Sequence, residues 1–133
     1  MSNPILIVED EALIALEMES ILEDSGYDVV GIASDLEGAL AFADRTIDLA
    51  LVDLNLRDGL TGPEIGRRLA NEHRVKVLFV TANPRLLGEG IAGTIGVLTK
   101  PTDESSLRSA VAFALRQTSD APPSLRCFNY PGG

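Results

Sequence analysis

The chain has 133 residues, 45% of them apolar and 23% charged, which suits one compact domain with a single core and leaves no room for two. Its 20 acidic side chains outweigh 11 basic ones, and the net charge of -9 excludes the basic face that general nucleic-acid binding requires. The single cysteine, Cys127, excludes an internal disulfide and a multi-cysteine metal site, and no apolar run approaches the ~20 residues of a membrane span.

These limits predict a protein of a reducing compartment, the cytoplasm. Residues Met1 to Ile7 lack the basic start and apolar stretch of a signal peptide. With no Trp and 5% aromatic residues, the core is expected to be aliphatic.

Pro4-Ile5-Leu6-Ile7-Val8 is a short continuous apolar run, as expected of a strand buried on both faces, and it ends in Glu9-Asp10-Glu11. A helix follows, with Leu13, Leu16, Ile21 and Leu22 as its apolar face and Gly26 as its stop. Asp28 to Ala33 reads as a second strand. Ser34 or Asp35 caps the next helix, whose apolar contacts come from Leu36, Ala39, Leu40 and Phe42. Leu49-Ala50-Leu51-Val52 is the third strand, ending at Asp53. Asn55 to Gly62 is a loop, and Pro63 suits the first turn of a helix carrying Ile65 and Leu69.

Val75 to Val80 is the fourth strand, closing at Thr81, and Asn83-Pro84 turns the chain. Arg85 to Gly93 is helical in period but contains Gly88, Gly90 and Gly93, so a short or mobile helix is expected there. Ile95 to Thr99 is the fifth strand, followed by Lys100-Pro101. Asp103 caps a last helix with Leu107, Ala110, Val111, Ala114 and Leu115 as apolar positions. The pattern stops after Gln117, which places a domain over residues 1–118 and an extended or partly disordered tail over residues 119–133. Five alternations of strand and helix predict an α/β fold with a parallel sheet and helices on both faces.

In an open parallel sheet of this kind, ligands bind at the carboxyl ends of the strands. The groups at those ends are Glu9 and Asp10, Asp53, Thr81 and Lys100. Three carboxylates packed together repel one another, and a hard divalent cation such as Mg²⁺ relieves that repulsion. Carboxylate, Mg²⁺, ammonium and hydroxyl together suit transfer of a phosphoryl group onto a carboxylate nucleophile. Each group also has a plainer reading. Asp53 serves as a loop cap, Glu9 and Asp10 as favourable charges at a helix start, Thr81 as a strand-end hydroxyl, Lys100 as a solvated lysine. The conjunction favours the pocket. His73 reads as a partner of its helix's C-terminal dipole, and Cys127 as an exposed thiol.

Val8-Glu9-Asp10, Asp53-Leu54-Asn55-Leu56, Gly62-Pro63, Thr81-Ala82 and Lys100-Pro101, in this order and at these strand ends, resemble the receiver domain of bacterial two-component response regulators. The match runs from about Ile5 to Gln117. The resemblance implies a flavodoxin-like sheet of five parallel strands in the order 2-1-3-4-5. It implies Asp53 as phospho-acceptor, and Mg²⁺ held by Asp10, Asp53, the Asn55 backbone carbonyl and, through water, Glu9. It implies Thr81 as the switch hydroxyl, Lys100 as the pocket lysine, Ala82 as the small residue beside the phosphoryl group, Asn83 as a position that tunes hydrolysis, and a cis bond before Pro101.

The family's usual aromatic three residues before the lysine is Val97 here, which resembles a subgroup lacking that ring and carrying a distinct motif after the fourth strand. The signal is then expected to travel through the glycine-rich Arg85 to Gly93 segment. The surface of the fourth helix, fifth strand and fifth helix is expected to meet the partner. The implied partners are a histidine kinase or histidine phosphotransfer protein as donor and a separate output protein, with no direct nucleic-acid or membrane contact, in a monomer or weak dimer. Such a domain assists its own phosphotransfer but turns over no small molecule. Three other functions compete: a phosphatase with an aspartyl-phosphate intermediate, a flavin or dinucleotide binder, and an interaction module that works without phosphorylation. The phosphatase usually carries its nucleophile after the first strand and a cap domain. The nucleotide binder lacks its G-x-G-x-x-G loop here.

Overall fold

The computed structural model describes residues 3–128. Its elements alternate as expected: β1 (Pro4–Val8), α1 (Ala12–Asp24), β2 (Asp28–Ala33), α2 (Leu36–Ala41), β3 (Leu49–Val52), α3 (Gly62–His73), β4 (Lys76–Thr81), a 3₁₀ turn (Pro84–Leu87), β5 (Gly96–Thr99), α4 (Glu104–Ala114) and β6 (Leu125–Cys127). The first five strands are parallel and stand in the order 2-1-3-4-5. A sixth, β6, pairs antiparallel with β5 on its outer edge.

The inner strands β1 and β3 are apolar throughout, and β4 is apolar from Val77 to Val80, because each faces a layer of helix on either side. On one face Leu6, Val8, Ala50, Val52, Val77 and Phe79 pack with Ala39 of α2 and Ile65 and Leu69 of α3. On the other, Ile5, Ile7, Leu49, Leu51, Leu78 and Val80 pack with α1 and α4. The period-2 alternation of strand side chains produces this division residue by residue.

Helix ends follow local chemistry. Asp35 accepts Gly38 N–H at 2.8 Å and Asp103 accepts Ser106 N–H at 2.6 Å, each satisfying an amide that the first helical turn leaves without a partner. Pro63 falls in the first turn of α3, where its missing N–H costs nothing, and His73 in the last turn.

Two expectations are corrected, on the buried face of α1 and on the tail, and a third, the short helix after β4, is met by a 3₁₀ turn. The buried positions of α1 are Ala15, Met18 and Leu22, while Leu13 and Leu16 are 83% and 54% exposed. The helix is phased by its small and flexible residues, which allow it to lie close on the sheet. The Arg85 to Gly93 segment forms only a 3₁₀ turn, because Gly88, Gly90 and Gly93 all take positive φ and end any helical run. The expected tail contributes a strand at Leu125–Cys127, whose alternation was too short to register in the sequence. Asn129 to Gly133 of the expected tail lie outside the described residues.

The phase of α1 is testable by urea unfolding. Leu22→Ala, at a fully buried position, is expected to cost about 2–5 kcal/mol. Leu13→Ser is expected to change stability by less than about 0.5 kcal/mol.

Candidate functional site

Register places the site. Val8 pairs with Val52, so the chain leaves β1 and β3 side by side, at Glu9 and Asp53. The backbone ladder continues past the strand ends: Asp53 N–H donates to Val8 O at 3.0 Å, Glu9 N–H to Ala33 O at 2.8 Å, and Lys100 N–H to Thr81 O at 2.9 Å. The side chains that follow are therefore held by the sheet rather than by flexible loops.

Lys100 bridges two carboxylates. Its Nζ donates to Glu9 Oε1 at 2.5 Å and to Asp53 Oδ2 at 2.8 Å. The other carboxylate oxygens are bound by backbone amides, Asp53 Oδ1 by Leu54 N–H at 2.7 Å and Glu9 Oε2 by Glu11 N–H at 3.1 Å. Glu9 and Asp53 are 3% and 8% exposed, whereas Asp10 is exposed. Burial pushes the Glu9 carboxyl above its usual range, partly offset by Lys100 and the Glu11 amide. Burial also works against the Lys100 ammonium, but hydrogen bonds to Asp53 and Glu9 together outweigh it and hold its pKa above the usual lysine value.

Glu9, Asp10 and Asp53 each bring a carboxylate oxygen within 4.8 Å of the others. Hard oxygen donors on one side, open to solvent through Asp10, fit a small divalent cation that keeps part of its water shell. One ammonium against three carboxylates leaves the site net negative, which is the charge deficit such an ion would fill.

Thr81 closes β4 and is buried. Its hydroxyl oxygen accepts Asn83 N–H at 3.0 Å, so it is turned toward the following loop. Ala82 and Asn83 are exposed at that loop's start. Asn55 is exposed two residues after Asp53. The Lys100–Pro101 bond is cis. Val97 is buried on the opposite side of β5 from the Leu98 core, opposite Phe79 in the adjoining strand.

Gly62 has a role the sequence reading missed. A Cβ there would lie 2.0 Å from Asp53 O and 2.4 Å from Leu54 Cα, so only glycine lets the start of α3 rest on the backbone that carries Asp53. The Glu9–Lys100 ion pair was also not foreseen, since strand-end position alone does not reveal which carboxylate a lysine meets.

The chain matches the family model for the response regulator receiver domain over residues 5–112. It belongs to that family, whose members are signalling domains of two-component systems rather than enzymes of small-molecule turnover. Within it, the chain is similar to the phyllosphere-induced regulator PhyR of Methylorubrum extorquens, 33% identical over 119 residues that form 86% of this chain and 44% of PhyR. It is 32% identical to the transcriptional regulatory protein PdtaR of Mycobacterium tuberculosis over 117 residues, 84% of this chain and 56% of PdtaR. The chain thus spans about half the length of these curated relatives. The solved receiver domain of Erythrobacter litoralis PhyR gives a TM-score of 0.78 at 31% identity, covering 91% of this chain and 95% of that domain. A CheY-like receiver protein from Methanospirillum hungatei gives 0.75 at 26% identity, covering 88% and 96%.

Removing the bridging cation leaves two buried carboxylates facing each other. Lys100→Ala is expected to lower unfolding free energy by about 1–3 kcal/mol at pH 7 in metal-free buffer. The loss should shrink as pH falls into the carboxylate range, since protonation removes the repulsion. Urea titrations at pH 7 and pH 5 check both statements.

Proposed function

We propose that the chain is a phosphorylation-dependent signalling switch that accepts a phosphoryl group on Asp53 from the phosphohistidine of a histidine kinase or phosphotransfer protein. The observation that carries this reading is the fixed contact of Asp53 Oδ2 with Lys100 beside the three-carboxylate cluster. Asp53 is the carboxylate best placed as nucleophile. Its Oδ1 is engaged by the Leu54 amide, which aims Oδ2 at the mouth shared with Lys100.

In the transfer, Asp53 Oδ2 forms a bond to phosphorus as the P–N bond to the donor imidazole breaks, and the imidazole leaves with the bonding electrons. Lys100 follows the charge from the carboxylate to the phosphoryl oxygens. Glu9, Asp10, Asp53 and the Asn55 carbonyl are the groups that would hold Mg²⁺, which supplies positive charge against those oxygens. Ala82 is the small residue beside the group, and Asn83 is the position proposed to tune its hydrolysis.

A phosphoryl group on Asp53 then offers the Thr81 hydroxyl proton an anionic acceptor. The hydroxyl donates to a phosphoryl oxygen, and in turning gives up the bond it accepts from Asn83 N–H. The conformational change thereby starts at the last residue of β4, where the following loop begins.

The donor surface is the groove of about 360 Å³ beside Lys100 and Pro101, lined by Ile14, Met18 and Ile21 of α1. A helix of the donor protein laid in this groove brings its histidine to Asp53. No described helix is long and apolar enough to cross a membrane, and a cytoplasmic setting suits a donor of this kind.

The test is incubation with Mg²⁺ and acetyl phosphate, read by intact mass. The wild-type protein is expected to gain one phosphoryl group, Asp53→Asn none, and chelation of the metal should abolish the gain. Modification that persists in Asp53→Asn would place the acceptor elsewhere. No gain at all would favour an interaction module that works unphosphorylated. In the same assay Thr81→Ala is expected to be phosphorylated at Asp53, since the hydroxyl acts after transfer.

A further inference from the structure

The loop that starts at Thr81 is held at its far end by residues from the C-terminal segment. Arg126 Nη1 donates to Gly88 O at 3.0 Å and its Nη2 to Pro84 O at 3.4 Å, so one guanidinium clasps both ends of the 3₁₀ turn. The same guanidinium lies 5.3 Å above the Phe128 ring. Phe128 packs on Phe79 of β4 with ring centroids 6.4 Å apart, and its N–H donates to Ile95 O at 2.9 Å. Leu125 is buried in the α1 and α4 layer. Strand β6 thus reaches both faces of the sheet while covering the outer edge of β5.

Two glycines far from β6 in sequence are fitted to it. A Cβ at Gly96 would lie 2.5 Å from Arg126 O, and one at Gly90 would lie 2.5 Å from the Phe128 ring. Any side chain at position 96 would push β6 off its pairing partner. These positions show that the domain is built to receive this segment.

A continuous chain of contacts joins β6 to the candidate acceptor pocket. Thr81 Oγ1 accepts Asn83 N–H, Asn83 O accepts Leu86 N–H at 3.1 Å, and Arg85 O accepts Gly88 N–H at 3.1 Å. Arg126 grips the carbonyls of Pro84 and Gly88 at the end of this chain. Val97 and Leu87 of the turn are buried in one apolar cluster, against which Phe128 packs.

We propose that β6 is a releasable latch whose hold on β5 is set by the phosphorylation state of the pocket. The proposal rests on the switch reading of Asp53 given above. When Thr81 turns to the phosphoryl group, the Pro84–Leu87 turn shifts, Arg126 loses its paired acceptors, and β6 leaves β5. A three-residue edge strand has few contacts in reserve, so a small change in its anchors moves its population far. Release lays bare the outer backbone groups of β5 and the Phe79 ring, the surface on which a partner would read the signal.

The experiment is amide hydrogen exchange on the full chain with Mg²⁺, with and without acetyl phosphate, each sample checked by intact mass. Phosphorylation is expected to raise exchange in residues 125–128 about tenfold while β1 and β3 stay protected. Arg126→Ala is expected to give a similar rise without the phosphodonor, and to loosen residues 84–90 as well. Gly96→Val, which displaces β6 from the β5 side, gives the same readout should Arg126→Ala fold poorly. A full mass gain with unchanged exchange at residues 125–128 overturns the latch and leaves the switch reading standing. No mass gain overturns both. Exchange at residues 84–90 that ignores loss of β6 in either variant overturns the coupling between latch and loop.

Discussion

Lys100 between Glu9 and Asp53 is the contact around which the rest of the molecule is arranged. A buried carboxylate is costly unless a cation meets it, and two are costlier. The ion pairs recover that cost only if the three side chains are delivered at the correct depth and angle. Parallel strands ending at one rim do this, because register fixes each strand end relative to its neighbours to within a fraction of a residue. The aliphatic layers on both faces keep the rim stiff, and Gly62 lets α3 press against the very peptide that follows Asp53.

The molecule is unevenly built around that rim. The side with β1, β3, α1 and α4 is regular, with long apolar contacts and with α4 capped by Asp103. The side between β4 and β5 is not. Residues 84–95 hold one short turn and three glycines at positive φ, and they carry little helical hydrogen bonding of their own. Such a segment has low local stability and draws its order from what packs on it, here Leu87 against the core and the C-terminal residues over its outer side. Thr81 lies where the regular and irregular parts join, with its carbonyl tied to Lys100 and its hydroxyl to Asn83.

Valine at position 97 takes its sense from this asymmetry. Val97 and Leu87 are buried in one apolar cluster, against which the Phe128 ring packs while also meeting Phe79. The aromatic surface on this side therefore comes from the end of the described chain rather than from β5.

Much of this was legible in the residues themselves. Short apolar runs located five strands, most plainly β1 and β3, because a strand buried on both faces has no polar position to break the run. Polar groups immediately after those runs located Glu9, Asp10, Asp53, Thr81 and Lys100, because strand ends in a parallel sheet share one rim. Asp35 and Asp103 marked helix starts through local side-chain chemistry. The remainder depended on distance in three dimensions. Periodicity of apolar residues in α1 pointed to Leu13 and Leu16, but the burial of Ala15 and Met18 was decided by how close the helix comes to the sheet. Nothing local in Leu125-Arg126-Cys127 marks a strand; it becomes one because β5 offers an unpaired edge and Gly96 offers space. The pairing of Lys100 with Glu9 as well as Asp53 likewise follows from packing, since a strand-end residue type fixes its rim but not its partner.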